Sequence, residues 1–419
     1  MRILVLNQYF HPDASATSQL LTELCEDLAE HHDVFVVTGR PSYNAVEATS
    51  SRGLVSKERH GAVRVARVWS TTFDRSDMTR RLTNYATYLL SSIVGGLSVR
   101  RPDVVVAFTD PPPVGLIGAL VARARGVPFV LVTKDIFPDV AIQLGVLRNP
   151  VAIAVLRAMK STLFRSADRV VSIGRDMDRR LADLGVPASK VETIHDWADG
   201  SAIRPPDGPS PLREELGWDD DFVVMHSGNV GLSQDLGTVI DAASLLRDEK
   251  DVRFAIVGEG ASKESLRTRV AAEGLENVEF LPYQPKATLS ESFGAADVHL
   301  VTLKQGLAGY IVPSKVYGIL AAGRPFIAGV EPDSEPDLIV HEEGCGVRVA
   351  PGDARALADA ILALRDDPQA CIEMGRRARA ALEARFDRPI SAAAYERLFA
   401  DALEAWRTRR QFPRPLSRT

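Results

Sequence analysis

Cysteine is scarce in this chain of 419 residues, with only Cys25, Cys345 and Cys371. The three lie far apart and make neither a CxxC pair nor a metal-ligand spacing. That excludes a disulfide scaffold, argues against structural zinc and fits a reducing cytoplasm. An excess of charge is missing as well: 50 basic against 55 acidic residues leave a net charge of -5, which gives no broad basic footprint for nucleic acid. Long apolar runs are also absent. The opening run, Ile3 to Leu6, meets polar Asn7 and Gln8 at once, with no leader-like apolar segment or cleavage site. The longest uncharged stretch, Leu82 to Val99, contains Thr83, Asn84, Thr87, Ser91, Ser92, Gly95, Gly96 and Ser98. It is too polar for a membrane span and reads as a buried or interfacial helix. The protein is expected to be cytoplasmic, soluble or peripheral to a membrane. Neither a GxGxxG fingerprint nor a Walker loop occurs, so dinucleotide and P-loop chemistry find little support. No internal repeat of short period is present.

What is there is ordinary globular material, 45% hydrophobic and 25% charged, at a length of roughly two to three average domains. Apolar β-branched runs at Val34–Val37, Val104–Phe108, Phe129–Val132 and Val170–Ile173 alternate with segments of helical spacing such as Gln19–Leu28, Val114–Val121 and Val151–Leu163. Near-continuous apolar strands imply burial on both faces, as in doubly wound α/β sheets. Residues 198–212 then break the pattern with a run rich in proline, glycine, serine and aspartate. Beyond it the pattern resumes, with strands at Phe222–His226, Phe254–Val257, Val278–Leu281 and Val298–Val301 and helices at Asp235–Leu246 and Ser262–Ala272. The expected organisation is two Rossmann-like doubly wound parallel-sheet domains, 1–197 and 213–389, joined by a 198–212 linker and facing a central cleft. A C-terminal helix in 390–419 is expected to pack back on the first domain.

The chemistry-bearing segments follow strands. His11 to Ser18 is a loop of small residues leading into a helix; Ala16 and Thr17 would let a ligand approach the backbone, while Ser15, Thr17 or Ser18 would serve equally as a plain cap. In the second half, Gly228 and Asn229 after one strand and Gly258 and Gly260 after the next make either a shelf for nucleotide phosphates or two tight turns. The most informative run is residues 306–325. Pro313 suits the first turn of a helix, which places Ser314 and Lys315 beside free amides. A lysine there is unfavourable to the helix dipole, so an anionic ligand explains it better than solvent does. Asp176-Met177-Asp178 mimics a metal-binding DxD but sits at a helix start, where capping is the simpler reading. His195-Asp196-Trp197 lies near the linker and suits hinge packing as well as cleft lining.

With these segments the chain resembles glycosyltransferase family 4, of the GT-B fold. The resemblance runs from Ile3 to about Phe399 and is strongest to the bacterial branch making O-antigen, colanic-acid and related surface polysaccharides. It is carried by the Asn7–Asp13 start, by Asp135-Ile136-Phe137-Pro138-Asp139 and by Val312-Pro313-Ser314-Lys315. It implies a retaining, metal-independent transferase with a hexosyl or N-acetylhexosaminyl donor, UDP-linked, and no cofactor besides that co-substrate. It implies a lipid-linked or small-molecule glycosyl acceptor and peripheral contact with the cytoplasmic membrane face. Asp135 is then the carboxylate near the reacting centre, as base or positioning group. Lys315 meets the diphosphate, and Gly228, Asn229, Gln234, Gly258, Gly260, Pro313, Ser314, Tyr317 and Gly318 surround the donor. His11, Ala16, Thr17 and Arg175 line the acceptor side.

The departures from the family are informative. Asn229 and Gln234 hold the places where many members have an arginine and a lysine on the pyrophosphate. Tyr310 and Gly318 hold those of two glutamates, and Lys134-Asp135 replaces a strand-end histidine. Lys315, with Arg175 or Arg324, is expected to supply the missing positive charge. The loss of these groups leaves two rivals open, a non-catalytic nucleotide-sugar-binding partner subunit and a UDP-sugar epimerase of the same fold.

Overall fold

The computed structural model describes residues 1–13, 15–41, 53–73, 78–206, 208 and 210–411. Ala14, and Asp207 and Pro209 of the linker, lie outside the described residues.

The first domain is built on β1 (Arg2–Leu6), α1 (Ala16–Ala29), β2 (Asp33–Thr38), β3 (Val55–His60), β4 (Val63–Val68), α2 (Met78–Ser98), β5 (Val104–Phe108), α3 (Val114–Arg125), β6 (Phe129–Val132), α4 (Asp139–Gln143), α5 (Pro150–Ser166), β7 (Arg169–Ser172), α6 (Arg175–Asp183) and β8 (Val191–Thr193). Its eight strands lie in the order β3-β4-β2-β1-β5-β6-β7-β8. All neighbours are parallel except the hairpin β3–β4. Strand β5 is buried along its whole length, as its unbroken Val-Val-Val-Ala-Phe run requires with helices on both faces. The edge strand β3, Val-Ser-Lys-Glu-Arg-His, has little apolar content and only half-buried or exposed residues. This explains why hydrophobic patterning does not find it.

The second domain contains α7 (Pro211–Leu216), β9 (Phe222–Ser227), α8 (Leu236–Leu245), β10 (Val252–Val257), α9 (Lys263–Glu273), β11 (Val278–Leu281), α10 (Leu289–Gly294), β12 (Val298–Thr302), α11 (Lys315–Ala321), β13 (Phe326–Gly329), α12 (Glu335–Glu343), β14 (Gly346–Val349), α13 (Ala354–Arg365) and α14 (Pro368–Ala381). The sheet order is β11-β10-β9-β12-β13-β14, all parallel. The order in which strands are added to the sheet reverses between β9 and β12, and in the first sheet between β1 and β5. Such switch points open a crevice at the carboxyl ends of the strands.

The chain passes between the domains twice, and the two passages pair with each other. Ala198 bridges Asp387, the Ala198 amide donates to the Phe386 carbonyl, and the Gly200 amide donates to the Asp387 carboxylate at 2.9 Å. The last helix, α15 (Arg388–Gln411), then lies on the first domain: Tyr395, Leu398, Phe399 and Ala402 share a core with Ile3, Val5, Leu21 and Leu24. Arg388 anchors its start on Asp27, and the Trp406 indole donates to the Gly126 carbonyl at 3.1 Å near its end. The fold thus consists of two doubly wound parallel α/β sheets, tied at one edge by a double strap.

Candidate active site

In the second domain the site forms where β9 ends. His226 is fully buried there, and Gly228 turns the chain with φ +131°. Gly258, φ +135°, packs backbone to backbone against this turn; a Cβ on it would lie 1.9 Å from the Gly228 carbonyl oxygen. A Cβ on Gly260 would lie 2.4 Å from the Val230 carbonyl oxygen. These two glycines are therefore required by the close approach of the turns, and they hold Gly228 in place. Lys315 opens α11 and crosses over Gly228, where a Cβ would meet its Cε at 3.7 Å. Its Nζ sits 3.0 Å from His226 Nδ1. Burial pushes the lysine down to about 7. Burial first, and the Lys315 charge second, hold His226 well below the ordinary histidine value.

Around this pair the sequence-predicted donor residues separate into two groups. The Asn229 carbonyl faces His226 Nε2 at 3.3 Å, and the Gln234 carbonyl accepts from the Thr302 hydroxyl. Gln234 Oε1 is buried without a partner. Ser314 precedes α11 with no side-chain cap bond, and Pro313 is buried beside it. Tyr317, by contrast, points into the domain core, its ring 5.4 Å from that of Phe386. A Cβ on Gly318 would lie 2.9 Å from the Phe293 ring, so an aromatic fills the place a longer side chain would take.

In the first domain Asp135 follows β6 and accepts from the Thr109 hydroxyl at 3.1 Å. Burial first, then the negative charge of Asp110, push its carboxyl up to about 7. Its neighbour Lys134 pairs with Asp196 instead. A small apolar cavity adjoins Asp135, lined by Pro112, Pro113, Leu116, Phe137, Met159 and Leu163 among others. The acceptor-side loop is placed further along the same face. The exposed His11 ring stacks on His60 with centroids 4.2 Å apart, and Ser15 caps α1, whose first turn presents an exposed Ala16 and a half-buried Thr17.

The two halves are joined by residues 306–314. Ile311 bridges Asp135, the Ile136 amide donates to the Tyr310 carbonyl at 2.8 Å, and Arg180 donates to the Ala308 carbonyl while stacking on Tyr310. A clamp of charged groups fixes this arrangement. Asp176 accepts from the amides of Gly309 and Glu335 at 3.0 and 3.1 Å. Glu335, with no exposed surface, accepts from Arg175 and stands 3.0 Å from His195 Nε2. Burial pushes Glu335 up, but His195 and Arg175 outweigh it and hold the carboxyl at about 2. Burial raises Asp176 to about 6.

Two expectations are corrected here. Arg175 and Arg324 do not supplement Lys315: Arg175 is engaged by Glu335 and Glu342, and Arg324 donates to the Gly294 carbonyl. Capping holds for only one of the two aspartates in the first turn of α6: Asp176 accepts from the Met177 amide at 2.8 Å and also reaches across to the other domain, whereas Asp178 accepts from the Ser172 and Thr193 hydroxyls. Sequence reasoning missed His226 and Glu335. For His226 the available signal was a histidine ending an apolar strand just before a glycine turn. Glu335 stands in Ser334-Glu335-Pro336, which reads only as a helix start.

Two family models match the chain, a glycosyl transferase 4-like domain over residues 16–197 and glycosyl transferases group 1 over residues 210–381. Among curated proteins it is 31% identical, over 69% of its length and 74% of the relative's, to a Pseudomonas aeruginosa protein named as a glycosyltransferase, WbjE. It is 28% identical, over 86% of its length and 91% of the relative's, to an Escherichia coli K12 protein named for glycosyl transfer in colanic acid biosynthesis, WcaI. Among solved structures, Anabaena HepE in complex with UDP superposes with a TM-score of 0.74 at 17% identity, over 96% of this chain and 100% of that one. Sucrose-phosphate synthase from Thermosynechococcus elongatus superposes with a TM-score of 0.77 at 16% identity, over 96% and 99%.

Proposed function

Because the chain belongs to glycosyltransferase family 4, with the GT-B fold, we propose that it is a retaining, metal-independent transferase that moves a hexosyl or N-acetylhexosaminyl group from UDP to an acceptor of surface-polysaccharide synthesis. The observation that carries this reading is the loop 306–314, which pairs with the backbone of Asp135 through Ile311 and leads directly to Lys315 over the Gly228 turn. A carboxylate of one domain and an amine of the other are thus tied to a single segment at the ends of both sheets.

The chemistry asks for two things. The leaving diphosphate gains negative charge in the transition state, and a fixed cation beside it stabilises that state more than the ground state. Lys315 serves this role. The acceptor hydroxyl must be oriented and lose its proton; Asp135, raised to about 7, is poised to accept one near neutral pH. UDP complexes of the HepE neighbour support a uridine diphosphate donor. The colanic-acid relative supports an acceptor in surface-polysaccharide assembly. The test is mass spectrometry of products from a panel of UDP-sugars and lipid-linked or small glycosyl acceptors, run with EDTA. Acceptor-dependent transfer with the anomeric configuration kept is expected. Activity lost in EDTA and restored by manganese rejects the metal-free mechanism, and product without acceptor favours an epimerase.

A peripheral membrane contact follows from α2. Its inner face is cut close: a Cβ added to Gly95 would lie 2.6 Å from Val68, and one added to Gly96 would lie 2.9 Å from Val121. Its outer face carries exposed Leu82, Leu90, Val94 and Leu97, between Arg80-Arg81 and Arg100-Arg101. No helix among the described residues is long and apolar enough to cross a membrane, but an apolar stripe between basic ends suits the surface of an anionic bilayer. Co-sedimentation with anionic vesicles at low salt is expected, and Leu90→Asp should reduce it about tenfold or more, since a charge replaces an exposed apolar side chain that would enter the bilayer surface. No sedimentation of the native protein would reject the contact.

A further inference from the structure

We propose that Trp69 and Phe73 form a distal sugar subsite for the acceptor, so that the molecule extended at Asp135 is an oligosaccharide. The proposal rests on the transferase reading above and names the acceptor's class.

The starting observation is exposure. Among the described residues the exposed phenylalanine, tryptophan and tyrosine side chains are Trp69, Phe73 and Tyr283. Tyr283 is bonded to Gln19 through its hydroxyl at 3.1 Å. The other two stand in one short segment after β4, 39% and 49% exposed. Large rings left in water together mark a place for a ligand. The segment that carries them is held. Asn84, a buried residue of α2, accepts from the Phe73 amide at 3.0 Å and donates to the Phe73 carbonyl at 2.9 Å. The Thr71 hydroxyl donates to the same Asn84 oxygen at 2.7 Å, and the Thr71 amide donates to Thr87 Oγ1 at 3.0 Å. A buried asparagine with its bonds made fixes the backbone that presents the rings, which spares an ordering cost when a ligand arrives.

Position says what the ligand is. β4 runs parallel to β2, so its end lies on the same edge of the sheet as Asn7, Thr109 and Asp135. The order β4-β2-β1-β5-β6 sets four strand spacings between Trp69 and Asp135, about 19 Å. That span takes several sugar rings in line and is beyond the reach of one. The strand ends between the two are small and polar. Gly39 follows β2, where a Cβ would lie 3.2 Å from both the Gln8 carbonyl oxygen and Ser70 Oγ. Asn7 Oδ1 and Gln8 Oε1 lack hydrogen-bond partners there, and a hydroxyl is the donor that suits them. A sugar carries C–H groups on its faces and hydroxyls around its rim. Aromatic plates at the end of a polar floor match both.

A bilayer is the rival occupant, and the strand register argues against it. The Trp69 amide donates to the Leu54 carbonyl at 2.9 Å, which continues the β3–β4 ladder by one residue. Alternation then puts position 69 on the sheet face of Val65 and Arg67. Val65 belongs to the core shared with α1 and α15, and Arg67 donates to the His11 carbonyl. Val68 is on the other face, against Gly95 of α2. Position 69 is therefore on the side of the His11 loop, opposite the apolar stripe of α2.

The test uses the acceptor found in the product panel, prepared as aryl glycosides from a single sugar to a pentasaccharide. With the native protein kcat/KM should climb with length and level off once the chain reaches Trp69. Trp69→Ala and Phe73→Ala should each cut that gain about tenfold or more, through KM for the long acceptors, as loss of an aromatic anchor does. Trp69→Phe, which keeps a flat ring, should recover much of it. Titration with the pentasaccharide should also shift the tryptophan emission, since Trp197 and Trp218 are buried and Trp69 is not. A single sugar used as well as the pentasaccharide overturns the subsite. A loss equal at every length marks a structural role and overturns it too. If Trp69→Ala instead loses vesicle binding while the length dependence stays, the rings belong to the bilayer and the proposal fails. No transfer to any acceptor by the native protein brings down the transferase reading, and the subsite with it.

Discussion

Lys315→Ala is expected to lower kcat/KM by about 10²–10³, the usual loss for one preorganised group acting on developing charge. Lys315 is the basic side chain that lies against Gly228, and the arginines that would share its task are turned away: Arg175 toward Glu335 and Glu342, Arg324 toward Gly294. Asn229 and Gln234 are neutral. Losing the lysine should therefore leave the diphosphate without a cation from this turn. Lys315 has no carboxylate partner to strand, so the variant should fold as the native protein does. Steady-state kinetics with matched melting curves check the prediction. A folded variant with an unchanged rate removes Lys315 from the mechanism.

The second large effect belongs to Glu335. Glu335→Ala should cost about 3–5 kcal/mol in stability, the range for breaking a buried ion pair from one side. It strips Arg175 and His195 of the same carboxylate and opens the contact between the domains. The pH dependence has a definite sign. A carboxyl held at about 2 stabilises the fold at pH values above its unfolded value of 4.5, and this contribution is lost as pH falls through about 2. The variant should accordingly lose its disadvantage in acid. Denaturant unfolding at neutral and acid pH measures both, and a neutral-pH difference under 1 kcal/mol would contradict the clamp.

The two sheets were legible because β5 and β6 are buried on both faces and so carry unbroken apolar runs, and β9 opens on an apolar run of the same kind, Phe222 to Met225. The edge strand β3 was not, because a run of mostly polar and charged residues has no apolar period to detect. At the site, Lys315 could be singled out because a cation opening a helix contradicts the local electrostatics. His226 and Glu335 carry no such contradiction. Their meaning lies in partners 89 and 140 residues away, Lys315 and His195, which only the folded chain brings together. Gly258 shows the limit from the other side: the glycine was noticed, but its reason is a carbonyl oxygen 1.9 Å from where a Cβ would stand.

The return of α15 to the first domain also sets an order of events during synthesis. The α1 face that receives Tyr395 and Phe399 leaves the ribosome early, yet its cover is made last, after the whole second domain. At roughly 5–20 residues per second the stretch between α1 and α15 takes roughly 20–70 s. Through that interval Leu21, Leu24 and the strand residues behind them lack part of their packing, while the second sheet has all of its own strands and can close. The half of the molecule translated first is thus the half completed last, and a nascent chain stalled before Arg388 should engage chaperones through its amino-terminal domain.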